Sequence, residues 1–175
     1  MGIITKGIPS QKALDLTDQY GLIDFVESGT HVGDSTLWAK DWFRTVYTIE
    51  SEYHYYNIAY SKLNHYDNVK LSLAKSEDAL NMIVPQLTEP VLFWLDAHWS
   101  RDLHGDKPEV ICPVIWELDI IRTYCTPFHV IMIDDARLFT GKNGWPSHQN
   151  LIDMLYKGYD IWVEDDVIFA VLLDE

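Results

Sequence analysis

The chain has little positive charge: 13 Lys plus Arg stand against 27 Asp plus Glu, a formal charge of −14 over 175 residues. A field of that sign repels phosphate backbones, and no basic run offsets it. No nucleic acid partner is expected; a small neutral or cationic ligand fits better. Cysteine is scarce too. Cys112 and Cys125 are too few and too loosely spaced for a disulfide framework or a zinc knuckle, and both read as reduced thiols. No apolar run approaches the roughly 20 residues of a membrane span, so no membrane partner is expected. The opening residues, "MGIITKGIPSQKALD", lack the long apolar core of a signal peptide, and the expectation is a cytoplasmic protein. Repeats, low-complexity tracts and linkers are all missing, so residues 1–175 are expected to form a single domain.

What is present is a set of short apolar runs separated by helix-length segments. "LIDFVES" (22–28), "TVYTIE" (45–50), "NVKLSLA" (68–74), "PVLFWLDAH" (90–98) and "FHVIMIDDA" (128–136) read as strands, the last two apolar enough to be buried on both faces. "YDIWVEDDVIFAVLLDE" (159–175) reads as two strands joined by a tight acidic turn, an antiparallel pair at one edge. Helices are expected in "DSTLWAKDWF", "SEYHYYNIAYSKLNHY", "SEDALNMIVPQL", "PVIWELDIIRTY" and "PSHQNLIDMLYKG". Strands alternating with helices predict an α/β fold: a doubly wound, mostly parallel sheet with a C-terminal antiparallel hairpin.

In such sheets ligands bind beyond the carboxyl ends of the strands, where strand order reverses. The residues there are Glu27, Glu50, Asp96, Asp134 and Asp135. "ESGTHVGDS" places Gly29 and Gly33 just after the first strand, with His31 where a dinucleotide-binding turn would carry its middle glycine. Glycines there serve either a ligand approached closely by backbone or packing alone. Glu50 is placed to accept two ribose hydroxyls, or simply to sit as a charge at a helix N-terminus. Asp96, Asp134 and Asp135 suit a hard oxygen-seeking cation such as Mg²⁺; otherwise Asp134 caps the next segment and Asp135 pairs with Arg137. His98 is a candidate general base, or a buried histidine with its hydrogen bonds satisfied. "WSRDLHGDKPEVICP" (99–113) is a candidate lid carrying Arg101, His104 and Asp106, or a surface insertion. "LFTGKNGWPSH" (138–148) is a candidate opposite wall.

In order and spacing these segments resemble the class I S-adenosylmethionine-dependent methyltransferases, from about Leu22 to the final hairpin. "ESGTHVGDS" resembles the superfamily's first motif with His31 replacing a glycine, "VYTIE" its second and "FWLDAHWS" its fourth. The nearest resemblance is to small bacterial domains related to macrocin O-methyltransferase. The resemblance implies a Rossmann-like methyltransferase sheet and S-adenosylmethionine as cofactor. It places Glu27 near the methionine amino group and wraps Ser28, Gly29, Thr30 and Gly33 around the amino-acid portion, with Ser35 adding a hydroxyl. Glu50 would hold the ribose, Ser76 and Glu77 the adenine edge, and Asp96 the methionine end or a metal, with Ser51 also among the cofactor-binding residues. It also implies Mg²⁺ on Asp96, Asp134 and Asp135, with His98 and Asp96 catalytic.

The expected function is methyl transfer to a small-molecule acceptor, a hydroxyl if the metal and base are present. The alternatives are a methyltransferase-like binding or accessory domain without turnover, and another nucleotide-dependent α/β enzyme such as a dehydrogenase. The sequence leaves acceptor identity and oligomeric state open; with seven tryptophans, a homodimer interface is one expectation.

Overall fold

The alternation of apolar runs and helix-length segments builds a seven-stranded sheet with helices on both faces. The computed structural model describes residues 7–98 and 111–173. Strands β1 (Asp24–Ser28), β2 (Thr45–Glu50), β3 (Val69–Leu73), β4 (Val91–Leu95) and β5 (His129–Ile133) pair in parallel. Strands β6 (Tyr159–Glu164) and β7 (Val167–Leu172) add the expected antiparallel hairpin, β7 against β5. The order across the sheet is β3-β2-β1-β4-β5-β7-β6, so the direction of winding reverses between β1 and β4. Every residue of β1, β4 and β5 is buried, which is what near-continuous apolar runs with helices on both sides require. Edge strand β3 has no buried residue and stays half-wet.

Helices α1 (Ser10–Tyr20) and α2 (Asp34–Ala39) cover one face, over Phe25, Val46, Leu92, Trp94 and Phe169. Helix α3 (Tyr53–Leu63) lies beside them, its Ala59 and Leu63 packed on Gly33 at the start of α2. Helices α4 (Ser76–Ile83), α5 (Val114–Tyr124) and α6 (His148–Leu155) cover the other face, over Val26, Ile49, Phe93, Leu95 and Ile131. Burying one such side chain contributes roughly 1.5–3 kcal/mol, so the two layers supply most of the driving force.

Helix α1 lies outside the expected set. Only Ala13 and Leu16 are buried on it, too short a stripe to stand out in the sequence. Its ends were marked nonetheless: Pro9 precedes it, and Gly21 closes it in the left-handed conformation, its N–H bonded to Thr17 O. Helix α6 starts at a capping box between Ser147 and Asn150. The hairpin turns on Asp165 and Asp166, both at positive φ, as a two-residue loop of matching twist demands.

Candidate functional site

The site is organised by the turn between β1 and α2, at the point where strand order reverses. Gly29 and Gly33 both have positive φ, and both are packed against protein. A Cβ on Gly29 would stand 2.5 Å from the backbone oxygen of Asp96, and one on Gly33 would stand 3.0 Å from Leu63 Cδ1. The glycines therefore let the turn lie flat on the end of β4 and on α3. His31, in the position of the missing glycine, also has positive φ (49°), a conformation that costs a residue with a Cβ about 1 kcal/mol or more. Its ring packs at a tilt of 45° against Tyr55, centroids 4.3 Å apart, which holds it in place.

Glu27 lies beneath this turn, 1% exposed, and faces protein. Register places Glu27 opposite Thr48, whose hydroxyl donates to Glu27 Oε2 at 2.6 Å; the Thr36 hydroxyl donates to the same oxygen. Burial raises the Glu27 pKa to about 7, against the pull of those two hydroxyls. Thr30 closes the cage through Thr48, Oγ1 to Oγ1 at 2.5 Å. Glu50 supports the turn from behind. Its Oε2 accepts the His31 N–H at 2.7 Å and its Oε1 the Glu52 N–H at 2.8 Å. The reading of Glu50 as a charge at a helix N-terminus is the one observed, since it accepts the N–H of Glu52 just ahead of α3; each oxygen retains a lone pair for another donor.

The second cluster joins the ends of β4 and β5. His98 Nε2 lies 2.7 Å from Asp135 Oδ2 and 3.2 Å from Asp96 Oδ1. Arg137 holds the other Asp135 oxygen at 2.5 Å and also pairs with Asp166 of the hairpin turn. The charges alternate from Asp166 to Arg137, Asp135, His98 and Asp96. Burial depresses the His98 pKa, but the hydrogen bonds to Asp135 and Asp96 outweigh it and hold His98 at about 10. Asp135 is lowered despite burial, by His98 and then Arg137. Burial and the neighbouring Asp96 charge push Asp134 up to about 7.

The expected Mg²⁺ ligands Asp96, Asp134 and Asp135 come together without forming a cation site. Among the described residues no group of three or more His, Cys, Asp or Glu side chains is arranged to hold a metal ion. Four of their six carboxylate oxygens already have protein partners. The His98 ring lies between Asp96 and Asp135, Arg137 takes the outer oxygen, and Asp134 Oδ1 accepts the Asp135 N–H at 2.7 Å. The expectation of a pairing between Asp135 and Arg137 is the one observed.

Beside this cluster is a hollow lined by Asp96, His98, Cys112, Glu117, Asp134, Phe139 and Trp145 among others. It offers about 10 Å³ to the centre of a water molecule, room for one small atom. Phe139 and Trp145 form the wall expected of segment 138–148, the Trp145 ring 5.0 Å from His98. Of the strand-end acids, Asp96 and Asp134 line this hollow, while Glu27 and Glu50 do not. Glu117 was missed. It is 1% exposed on the first turn of α5, its Oε1 lacks a hydrogen-bond partner, and burial raises its pKa to about 7. Nearby, the buried hydroxyls of Ser76 and Ser28 come close enough to Glu117 to lower its pKa against burial, although neither closes a hydrogen bond of good geometry. The signal was a carboxylate on the apolar stripe of Val114, Leu118 and Ile121.

The remaining expected residues are scattered around the rim. Ser35 is half-buried at the start of α2, near enough to Glu27 to temper its pKa, while Ser51 is exposed before α3 and Glu77 half-buried on α4. The candidate-lid residues Arg101, His104 and Asp106 lie outside the described residues.

No protein-family profile matches the chain, and no curated protein does. Solved structures match it at low identity. An O-methyltransferase from Bacillus cereus in complex with SAH superposes with TM-score 0.67 at 19% identity, over 98% of this chain and 84% of that one. TomG, an O-methyltransferase from Streptomyces achromogenes in complex with SAM, gives 0.66 at 18%, over 98% and 82%. Precorrin 8W decarboxylase from Methanobacterium thermoautotrophicum gives 0.60 at 14%, over 99% and 94%. The strand order, the terminal hairpin and these superpositions together give the chain the Rossmann-like fold of the class I S-adenosylmethionine-dependent methyltransferases.

Proposed function

We propose that the chain is an S-adenosylmethionine-dependent methyltransferase acting on a hydroxyl of a small molecule. The observation that carries this reading is Glu50. It ends β2 beside the point where strand order reverses, binds the turn that follows β1, and keeps one free lone pair on each oxygen. Two vicinal ribose hydroxyls match that pair of acceptors. Solved O-methyltransferases of the same fold, holding SAH or SAM, support the choice of cofactor.

The cofactor supplies an activated methyl group on a sulfonium, so this chain's work is positioning and the handling of one proton. Thr36, Thr48 and Glu27 fix the turn from below, while Gly29 seats it on the end of β4. Asp96 and Asp135 hold His98 by one ring nitrogen. With a pKa of about 10 His98 carries its proton at neutral pH; in this reading it orients the acceptor and offsets negative charge growing on it. No step is routed through a metal.

Thermal unfolding with S-adenosylhomocysteine tests the reading. A ligand at 100 times its Kd adds about 2.7 kcal/mol of stability. We expect that gain in the wild type and its loss in Glu50→Ala, with none from NAD. Equal stabilisation of Glu50→Ala removes the ribose role, and no stabilisation of the wild type removes the proposal. Binding without methyl transfer to any acceptor leaves the reading of an accessory domain.

A further inference from the structure

Two buried polar atoms belonging to residues that line the hollow under Trp145 have no partner: Glu117 Oε1 and His98 Nδ1. The opposite edge of the His98 ring is engaged by Asp96 and Asp135, so Nδ1 is the edge left for a ligand. Leaving a buried polar atom unsatisfied costs about 1–3 kcal/mol, and two on residues that line one hollow are an arrangement that a bound group reaching both would relieve. The hollow's volume, about 10 Å³ for a water-sized centre, limits what enters it to one non-hydrogen atom and its protons.

A hydroxyl oxygen has the matching chemistry. It is both donor and acceptor, so it satisfies a carboxyl oxygen on one side and an imidazole nitrogen on the other, whichever of the two carries a proton. An ether or a carbonyl cannot donate to Glu117, and an ammonium cannot accept from His98. Resting on the methyltransferase reading above, we propose that this hollow seats the acceptor's hydroxyl between Glu117 and His98, and that Glu117 takes its proton. The O–H bond breaks as the proton passes to the Glu117 carboxylate. The oxygen forms a bond to the methyl carbon, and the carbon–sulfur bond breaks with its electron pair left on sulfur. The products are a methyl ether, a neutral thioether and a protonated Glu117.

The surroundings of Glu117 suit that task. Asp134 and the protonated His98 line the same hollow, and Cys112 lies ahead of α5. Ser76 from α4 and Ser28 from β1 lower the Glu117 pKa, while Glu77 from α4 and Asp96 just after β4 raise it. Burial places it at about 7, in the range where a base serves best at neutral pH.

The test uses the whole chain and methyl-labelled S-adenosylmethionine, with phenol, catechol and a methyl hexoside as hydroxyl probes and aniline as the nitrogen counterpart. Wild type, Glu117→Gln and Glu117→Asp are compared, with S-adenosylhomocysteine binding measured on each by thermal shift. Expected are labelled ether from at least one hydroxyl probe and a kcat lowered about 100-fold or more in Glu117→Gln. KM for the sulfonium is expected to be unchanged, with loss of the acid limb near pH 7 and partial recovery in Glu117→Asp. A Glu117→Gln variant that binds S-adenosylhomocysteine and keeps its kcat and pH profile overturns the inference. So does labelling of aniline alone, or of nothing, by a protein that binds S-adenosylhomocysteine. Failure of the wild type to bind S-adenosylhomocysteine overturns the underlying reading instead.

Discussion

Gly29→Ala is the sharpest perturbation the structure offers. The new methyl would lie 2.5 Å from the Asp96 carbonyl oxygen, 2.7 Å from its carbon and 3.0 Å from Ala97 N, all backbone atoms with no rotamer to yield. A residue with a Cβ also loses about 1–2 kcal/mol at the φ of +87° found there. Overpacking against an immobile neighbour adds about 1–3 kcal/mol, giving about 3 kcal/mol in all. At about 2–4 °C per kcal/mol for a domain of this size, the melting temperature should fall by about 6–12 °C. Gly21→Ala is the control, since Gly21 has φ +62° but nothing within 4 Å of a built Cβ. It should lose only the backbone share, about 1 kcal/mol. Calorimetry and urea unfolding of the two variants isolate the contact. Equal losses at the two positions would refute the claim that the turn is seated on the end of β4.

Three further outcomes are expected. Glu27, Glu117 and Asp134 each rise to about 7 on folding, so the native state binds more protons than the unfolded chain between about pH 4 and 7. Stability should fall as pH climbs through that window. It should fall again as His98 passes from its ordinary 6.5 toward about 10, so a melting temperature higher at pH 8 than at pH 5 contradicts the assignment. Thr48→Val removes one of the two hydroxyls on Glu27 Oε2 and should cost about 1–3 kcal/mol, more at pH 8 than at pH 5 because the Glu27 carboxyl is driven still higher. Mn²⁺ titrated against the chain and followed by electron paramagnetic resonance should show no stoichiometric site at Asp96, Asp134 and Asp135. Tight binding abolished by Asp135→Asn would reinstate the cation there.

The fold was legible because its strands are marked by composition. Runs such as "VLFWL" and "HVIMI" are apolar at every or nearly every position, and only a parallel strand buried on both faces needs that. Helix α1 was hidden because two buried residues make no period. The site was legible as a place rather than as a set of contacts. Glu27 was visible at its strand end, but its tie to Thr48 depends on the register between β1 and β2, and its tie to Thr36 on the pitch of α2; neither is written in the local sequence. Gly29 and Gly33 were visible, yet what they approach, Asp96 and Leu63, lies 67 and 30 positions further along the chain (96 − 29 and 63 − 33). Glu117 could have been found from its neighbours alone, as an acid at the i+3 position from Val114 in an otherwise apolar stripe.

The hairpin turn has a reach beyond its own edge of the sheet. Outer strands are ordinarily the first to fray, yet here the Asp166 carboxylate is lashed through Arg137 and Asp135 to the ring of His98 near the middle. Peeling β6 and β7 away would slacken that imidazole's mooring, and a ligand that stiffens the imidazole should in turn slow amide exchange along the outermost strands.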